Sequence, residues 1–424
     1  MKFSQMTKEQ LAACYAEEQS RFAAFKAQDL KLDMSRGKPA PEQLDTAAGL
    51  LDALKSGDML AAADGTDARN YGGLDGIPEA KALFAEMMGV APDEIFVGGN
   101  SSLNLMYDAV AKALIFGVDA ASKPWGKYEK IKWLCIVPGY DRHFAICESF
   151  GIEMVNVPFK GTDPDMDAIE ALVAADEAIK GIWCVPKYSN PTGTTYSDDA
   201  VRRFAALKPK AADFRIFWDN AYCVHDLTET PDSLLNIFDE CKKLGTEDMV
   251  YAFGSTSKIT FAGAGVAVMA SSKKNLAFLK ALATIQTIGY DKVNQLRHVR
   301  YFGNYAGLLA QMEKHKSLIA PKFDAVLEIL EQEIAPLGIG TWHKPNGGYF
   351  ISLDTPAGCA KRVAALCKEA GVILTPAGAT YPYGIDPADA NLRIAPTYPS
   401  PAELTLATQI LCSALKIAAL EKLM

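Results

Sequence analysis

The sequence predicts an α/β fold: a mainly parallel seven-stranded sheet with helices on both faces, joined to a smaller α+β domain. Three observations predict it. Seven short runs between residues 95 and 271 are apolar throughout instead of alternating, which marks strands buried on both faces. Helical periodicity fills several of the gaps between them, as in SLNLMYDAVAKALIF at 102–116. The last hundred residues change character, with one long helical stretch, short strand candidates and a terminal helix.

In chain order, residues 5–28 read as an amphipathic helix with Leu11, Tyr15, Phe22 and Phe25 near one face. The segment LDMSRGKPAP then breaks the pattern, and Gly37, Pro39 and Pro41 make it an extended loop. The seven strand candidates are IFVGG (95–99), KWLCIVP (132–138), MVNVPF (154–159), GIWCVP (181–186), RIFWDNAY (215–222), MVYAFGS (249–255) and GVAVMAS (265–271). A long helix, AGLLAQMEKHKSLIAPKFDAVLEILEQEI, leads to strand candidates GGYFISL (347–353) and LRIAP (392–396) and to a final helix, AELTLATQILCSALKIAAL. The expected division is 46–305 for the large α/β domain and 306–424 for the small α+β domain. Residues 1–45 pack with the latter.

Composition narrows the function. A chain of 424 residues is long enough for two domains. The net charge is −8 with no basic stripe, which argues against nucleic acid as a partner. Nine cysteines without a C-x-x-C pair argue against a zinc ribbon or a disulfide framework. MKFSQMTKEQ has no apolar secretory core, and no apolar stretch reaches membrane-spanning length. A cytoplasmic protein without membrane partners is expected.

Ligands of an open parallel sheet bind beyond the carboxyl ends of its strands. Five of the strand candidates end in polar, aromatic or small residues. Gly99, Asn100, Ser101 and Ser102 open a helix, where free N–H groups and the helix dipole suit a phosphate; plain N-capping is the alternative. Asp219 lies in an otherwise apolar strand, where a carboxylate needs a partner. A protonated ring nitrogen would serve, as would a core arginine. Tyr222 could donate to a ring oxygen or be a core tyrosine. Lys258 sits in S-T-S-K before a Gly-rich stretch, FAGAGVA, so its amine can enter a crowded site as nucleophile and proton carrier; otherwise it is a surface lysine. Ser255 and Ser257 could add hydroxyls to a phosphate. Asn190-Pro-Thr-Gly is a turn, or Asn190 bonds the ring oxygen. Tyr140 stacks on a ring face or is simply buried.

The order of N-P-T-G, then D-x-A-Y at Asp219–Tyr222, then S-x-S-K at Ser255–Lys258 resembles the fold-type I, class I aminotransferases. These enzymes depend on pyridoxal 5′-phosphate (PLP). The resemblance runs from the Gly37 loop to Arg393. More narrowly, S-R-G-K-P, P-G-Y-D-R-H-F, D-K-V-N-Q-L-R-H and P-N-G-G-Y-F resemble the type Ic aspartate aminotransferases, a bacterial branch that exchanges amino groups between aspartate or glutamate and 2-oxo acids. The resemblance implies Lys258 as the Schiff-base lysine and proton shuttle, Asp219 on the pyridine nitrogen, Asn190 and Tyr222 on the 3′-oxygen, and Tyr140 stacked on the ring. It implies Ser101, Ser102, Ser255 and Ser257 at the phosphate. Tyr71, in RNYGGLDG, matches a tyrosine that reaches the phosphate of the other subunit, which implies a homodimer with shared active sites. Arg393, in N-L-R-I-A-P, matches the arginine that grips the substrate α-carboxylate, and Gly37 a glycine beside it.

One position departs from the family. Many class I enzymes carry a second phosphate anchor, an arginine, eight residues after the lysine; here that residue is Val266. Arg36, Lys38 and Lys292 are candidates to meet the phosphate charge. An acidic substrate also needs a cation for its distal carboxylate. Arg36, Lys38, Arg142, Lys292 and Arg297 could supply it, with Arg142 first because it follows Tyr140 by two. His143 and His298 read as packing or hydrogen-bonding residues. The rival readings are a β-lyase, decarboxylase or racemase on the same fold, and a cofactor-sensing regulator, which would carry a DNA-binding domain.

Overall fold

The computed structural model describes residues 1–424. Its strands, in chain order, are β1 (Leu32–Asp33), β2 (Ile95–Val97), β3 (Lys132–Val137), β4 (Glu153–Lys160), β5 (Asp163–Pro164), β6 (Ile179–Cys184), β7 (Arg215–Asp219), β8 (Val250–Ser255), β9 (Ala267–Ala270), β10 (Thr341–Trp342), β11 (Ile351–Asp354), β12 (Val372–Ile373) and β13 (Asn391–Ile394). The main sheet runs β2-β9-β8-β7-β6-β3-β4-β5. Strands β4, β3, β6, β7 and β8 pair in parallel, while β9 runs antiparallel to both neighbours.

All seven expected strands are present. The sheet has an eighth, the edge strand β5, which is two residues long and pairs with β4. Two residues are too short to leave a pattern, and a proline in a sheet is tolerated at an edge, where no ladder N–H is needed.

The apolar runs have the expected cause. Every residue of β2, β6, β7 and β9 is buried, whereas β4, next to the sheet's edge, buries only Met154 and Val157. Successive residues feed opposite faces. Leu134, Ile182, Ile216 and Val268 join one core; Trp133, Trp183, Phe217 and Met269 join the other. Helices cover both faces, among them Ser102–Phe116, Pro78–Met88 and Lys292–Phe302.

A second body has its own core and sheet, the antiparallel set β10-β11-β13. It rests on the helices Tyr305–Glu333 and Pro401–Leu423. The latter is long and apolar enough to cross a membrane, but most of it is buried against this core. The first helix, Lys8–Lys26, is capped by Thr7 and buries Leu11, Phe22 and Phe25 in the same core. Strand β1 pairs in parallel with β12, and Met34 accepts from Ala395 N at 3.1 Å. The loop around Gly37 is thereby stitched beside Arg393.

Candidate active site

The polar strand ends converge. Ser101 precedes the helix Ser102–Phe116, but its side chain makes no capping bond. Asn100 donates from Nδ2 to the Gly263 carbonyl at 3.3 Å. Ser257 Oγ donates to the Asn100 carbonyl at 3.1 Å, and Ser255 Oγ to Ser257 Oγ at 3.2 Å. The Gly99 carbonyl accepts from Ala267 N at 2.8 Å. One cluster of hydroxyls and helix N–H groups therefore joins the ends of β2 and β8, the setting in which an anion binds.

Asp219 ends β7 and is 3% exposed. Its Oδ2 meets His143 Nε2 at 3.1 Å, and His143 stacks on Trp183 with ring centroids 4.5 Å apart. Its Oδ1 is buried without a partner, and no arginine pairs with it. An unsatisfied buried acceptor costs about 1–3 kcal/mol, so this oxygen calls for a donor from outside the chain.

Lys258 follows β8 by three residues. Its Nζ lies 4.7 Å from the centroid of the Tyr222 ring and 5.9 Å from that of Tyr349. Its carbonyl accepts from His225 Nε2 at 3.3 Å and Tyr349 OH at 3.4 Å, and Gln43 Nε2 donates to Tyr349 OH at 3.0 Å. His298 Nδ1 meets the Asn294 carbonyl at 2.8 Å, while its Nε2 faces the hydroxyls of Thr256 and Thr260 at 3.2 and 2.9 Å. Burial pushes His298 down to about 4, so the ring is neutral and accepts those hydroxyls. Burial also raises Tyr140, to about 12, against the pull of Lys258. Tyr222 is raised further, by burial and then by the Asp219 carboxylate. Both phenols are therefore hydrogen-bond donors at neutral pH.

Arg393, on β13, is 7% exposed. Its Nη1 donates to Asp141 Oδ1 at 2.8 Å and to Asn190 Oδ1 at 3.3 Å; its Nε reaches Thr375 Oγ1 at 3.3 Å. Its guanidinium lies over the Phe350 ring at 4.9 Å. Gly37 faces the same ring, and a Cβ there would come within 2.4 Å of Phe350 Cζ. The cavity lined by Gly37, Tyr140, Asn190, Tyr222, Lys258 and Arg393 has a volume of about 460 Å³, the scale of a bound small molecule.

The remaining expected residues sort by place. Arg36, Lys38 and Arg142 are exposed on the cavity wall and make no ion pair; Lys38 lies over the Tyr398 ring at 3.7 Å. Tyr71 is 79% exposed, outside the cavity of its own chain. Val266 is buried. Lys292 is 4% exposed and makes no ion pair, with its Cδ 3.1 Å from where a Cβ on Gly73 would stand. Arg297 Nη2 donates to Asn294 Oδ1 at 2.5 Å. Sequence reasoning missed Gln43, His225, Tyr349 and Asp141. Tyr349 stands in the quoted P-N-G-G-Y-F and Asp141 in the quoted P-G-Y-D-R-H-F, the two available signals among them.

A lysine and a buried arginine line one cavity, with a buried acid beside its Tyr140 and Tyr222, and together they define an enzyme that handles a small carboxylate-bearing molecule through an amine. The chain belongs to the aspartate amino-transferase family, whose model matches residues 6–424, and it is a transaminase. It is 47% identical over 413 residues to an aspartate aminotransferase of Corynebacterium glutamicum, covering 97% of this chain and 95% of that one. The crystal structure of an aspartate transaminase from the same organism superposes with a TM-score of 0.97 at 46% identity, covering 100% of both chains. The α-aminoadipate aminotransferase of Thermus thermophilus, complexed with N-(5′-phosphopyridoxyl)-L-leucine, shares the fold with a TM-score of 0.74 at 21% identity, covering 96% of this chain and 98% of that one.

Proposed function

We propose that this aminotransferase uses PLP to exchange amino groups between aspartate or glutamate and a 2-oxo acid by a ping-pong mechanism. The observation that carries the reading is the buried, partnerless Oδ1 of Asp219 in the same site as Lys258. The donor set fits the cofactor. Asp219 would hold the ring nitrogen, Asn190 and Tyr222 the 3′-oxygen, Tyr140 the ring face, and Ser101, Ser102, Ser255 and Ser257 the phosphate with the N–H groups beside Gly99 and Asn100. When bound, PLP supplies an aldehyde that captures amines and a ring that draws electrons from the substrate α-carbon.

The chain's own groups do the rest. Arg393 grips the substrate α-carboxylate beside Gly37, and Asn190 shares that guanidinium. Lys258 Nζ would take the proton from the substrate α-carbon and, once protonated, deliver it to the cofactor C4′. The carbonyl contacts from His225 and Tyr349 fix where that amine starts. His143 holds Oδ2 and so leaves Oδ1 as the oxygen that would hold the ring nitrogen. Arg142, with Arg36 and Lys38, faces the distal carboxylate of a dicarboxylic substrate. Residues 46–305 form the PLP-binding domain and 306–424 the small domain, with 1–45 packed on the latter.

The working unit is a homodimer with shared sites. Tyr71, Ile285 and Ile288 are 79%, 85% and 61% exposed, an apolar surface beside the phosphate end. Light scattering that returned the mass of a single chain would remove this part. A cytoplasmic address suits its nine free thiols.

Lys258→Ala is expected to abolish both turnover and the visible absorbance of the PLP-loaded enzyme; a mutant that kept the band would overturn the assignment. Arg142→Ala should raise KM for aspartate roughly tenfold or more while leaving alanine nearly unchanged, since one charge-assisted contact is worth about 1.5–3 kcal/mol. Equal losses for both donors would remove Arg142 from the role. A donor panel against 2-oxoglutarate tests the substrate class, and release of ammonia and pyruvate would point to a lyase instead.

A further inference from the structure

The cavity wall carries five cations, Arg36, Lys38, Arg142, Lys258 and Arg393, and a single carboxylate, Asp141. That carboxylate is bonded to the most buried of the arginines, Nη1 to Oδ1 at 2.8 Å. Arg393 offers a carboxylate two forks. One joins Nη1 and Nη2, and Asp141 and Asn190 already share its Nη1. The other joins Nε and Nη2, and Nε donates to Thr375. Neither fork is wholly free.

Asp141 is also built to let go. Its side chain is 35% exposed, against 7% for Arg393. It is the first residue of the helix Asp141–Ser149, where the helix dipole favours a negative charge whether or not the arginine is near. Arg36, Lys38 and Arg142 stand unpaired on the same wall and can receive it.

We propose that Asp141 is an internal stand-in for the substrate carboxylate: it holds Arg393 in the empty site and is displaced when substrate binds. This rests on the reading of Arg393 as the grip for the α-carboxylate. A guanidinium so deeply buried is costly to leave without an anion, and Asp141 removes that cost between turnovers. The same contact competes with every incoming carboxylate, so it sets affinity without touching the reacting atoms. Asp141 is thus a positioning residue, and its influence falls on KM and leaves kcat nearly alone.

The test uses holoenzyme and succinate, a dicarboxylate that lacks an amino group and cannot react. Asp141→Asn keeps the shape and removes the charge. The variant is expected to bind succinate about fivefold more tightly, followed by the change in visible absorbance, because a one-third-exposed competitor in an ion pair has been neutralised. KM for aspartate should fall with it, and the ligand-free variant should melt at a lower temperature than the parent. Asp141→Ser, which retains a residue suited to a helix start, repeats the measurement if the first variant folds poorly. Unchanged or weaker succinate binding in a folded variant overturns the proposal and makes Asp141 a fixed brace for Arg393. The visible band, recorded before succinate is added, tests the cofactor reading separately, so the two failures can be told apart.

Discussion

At the scale of single residues, the site is governed by which polar atoms have partners. Asp219 is half-satisfied, with Oδ2 on His143 and Oδ1 bare. Gly37 marks the opposite end, where its Cα faces the Phe350 ring that also underlies Arg393. Gly37→Ala would force that ring aside, and overpacking of this kind costs about 1–3 kcal/mol. The expected result is a roughly tenfold rise in KM for the amino donor with a lower melting temperature. Kinetics and a thermal melt on the same preparation check it, and a variant with parental values for both would show that the ring yields freely.

At the scale of elements, the sequence was most legible where burial is two-sided. Runs such as KWLCIVP and GIWCVP are apolar throughout because their side chains alternate between two cores, and those strands stand where they were expected. The ends of β7 and β8 were legible for the same reason: Asp219 and the S-T-S-K turn interrupt an apolar background. What escaped notice depends on partners distant in the chain. Tyr349 reaches the Lys258 carbonyl across 91 residues, and Asp141 reaches Arg393 across 252. No local pattern records such a meeting. The length of β5 hid it, and the neutrality of His298 follows from its burial beside Thr256 and Thr260, which spacing alone does not reveal.

At the scale of the whole molecule, buried histidines set a limit on acid tolerance. Burial holds His298 and His315 near 4 and pushes His225 well below its usual value. Their folded-state values lie below the usual value near 6.5, so between about 4 and 6.5 the unfolded chain binds more protons than the folded one. Stability is therefore fully present above about 6.5 and drains as the pH falls toward 4. His298 and His315 can each contribute roughly 1–3 kcal/mol to that loss. Melting temperature followed from pH 7 to pH 4 should decline through this window, and a flat profile would contradict it. The pairing of β1 with β12 has a consequence of another kind. The amino-terminal arm is a roof beam as well as a packing helix: it suspends Gly37 over the chamber from the same frame that holds Arg393. Clipping the arm would leave the great sheet standing and the chamber open to the rain.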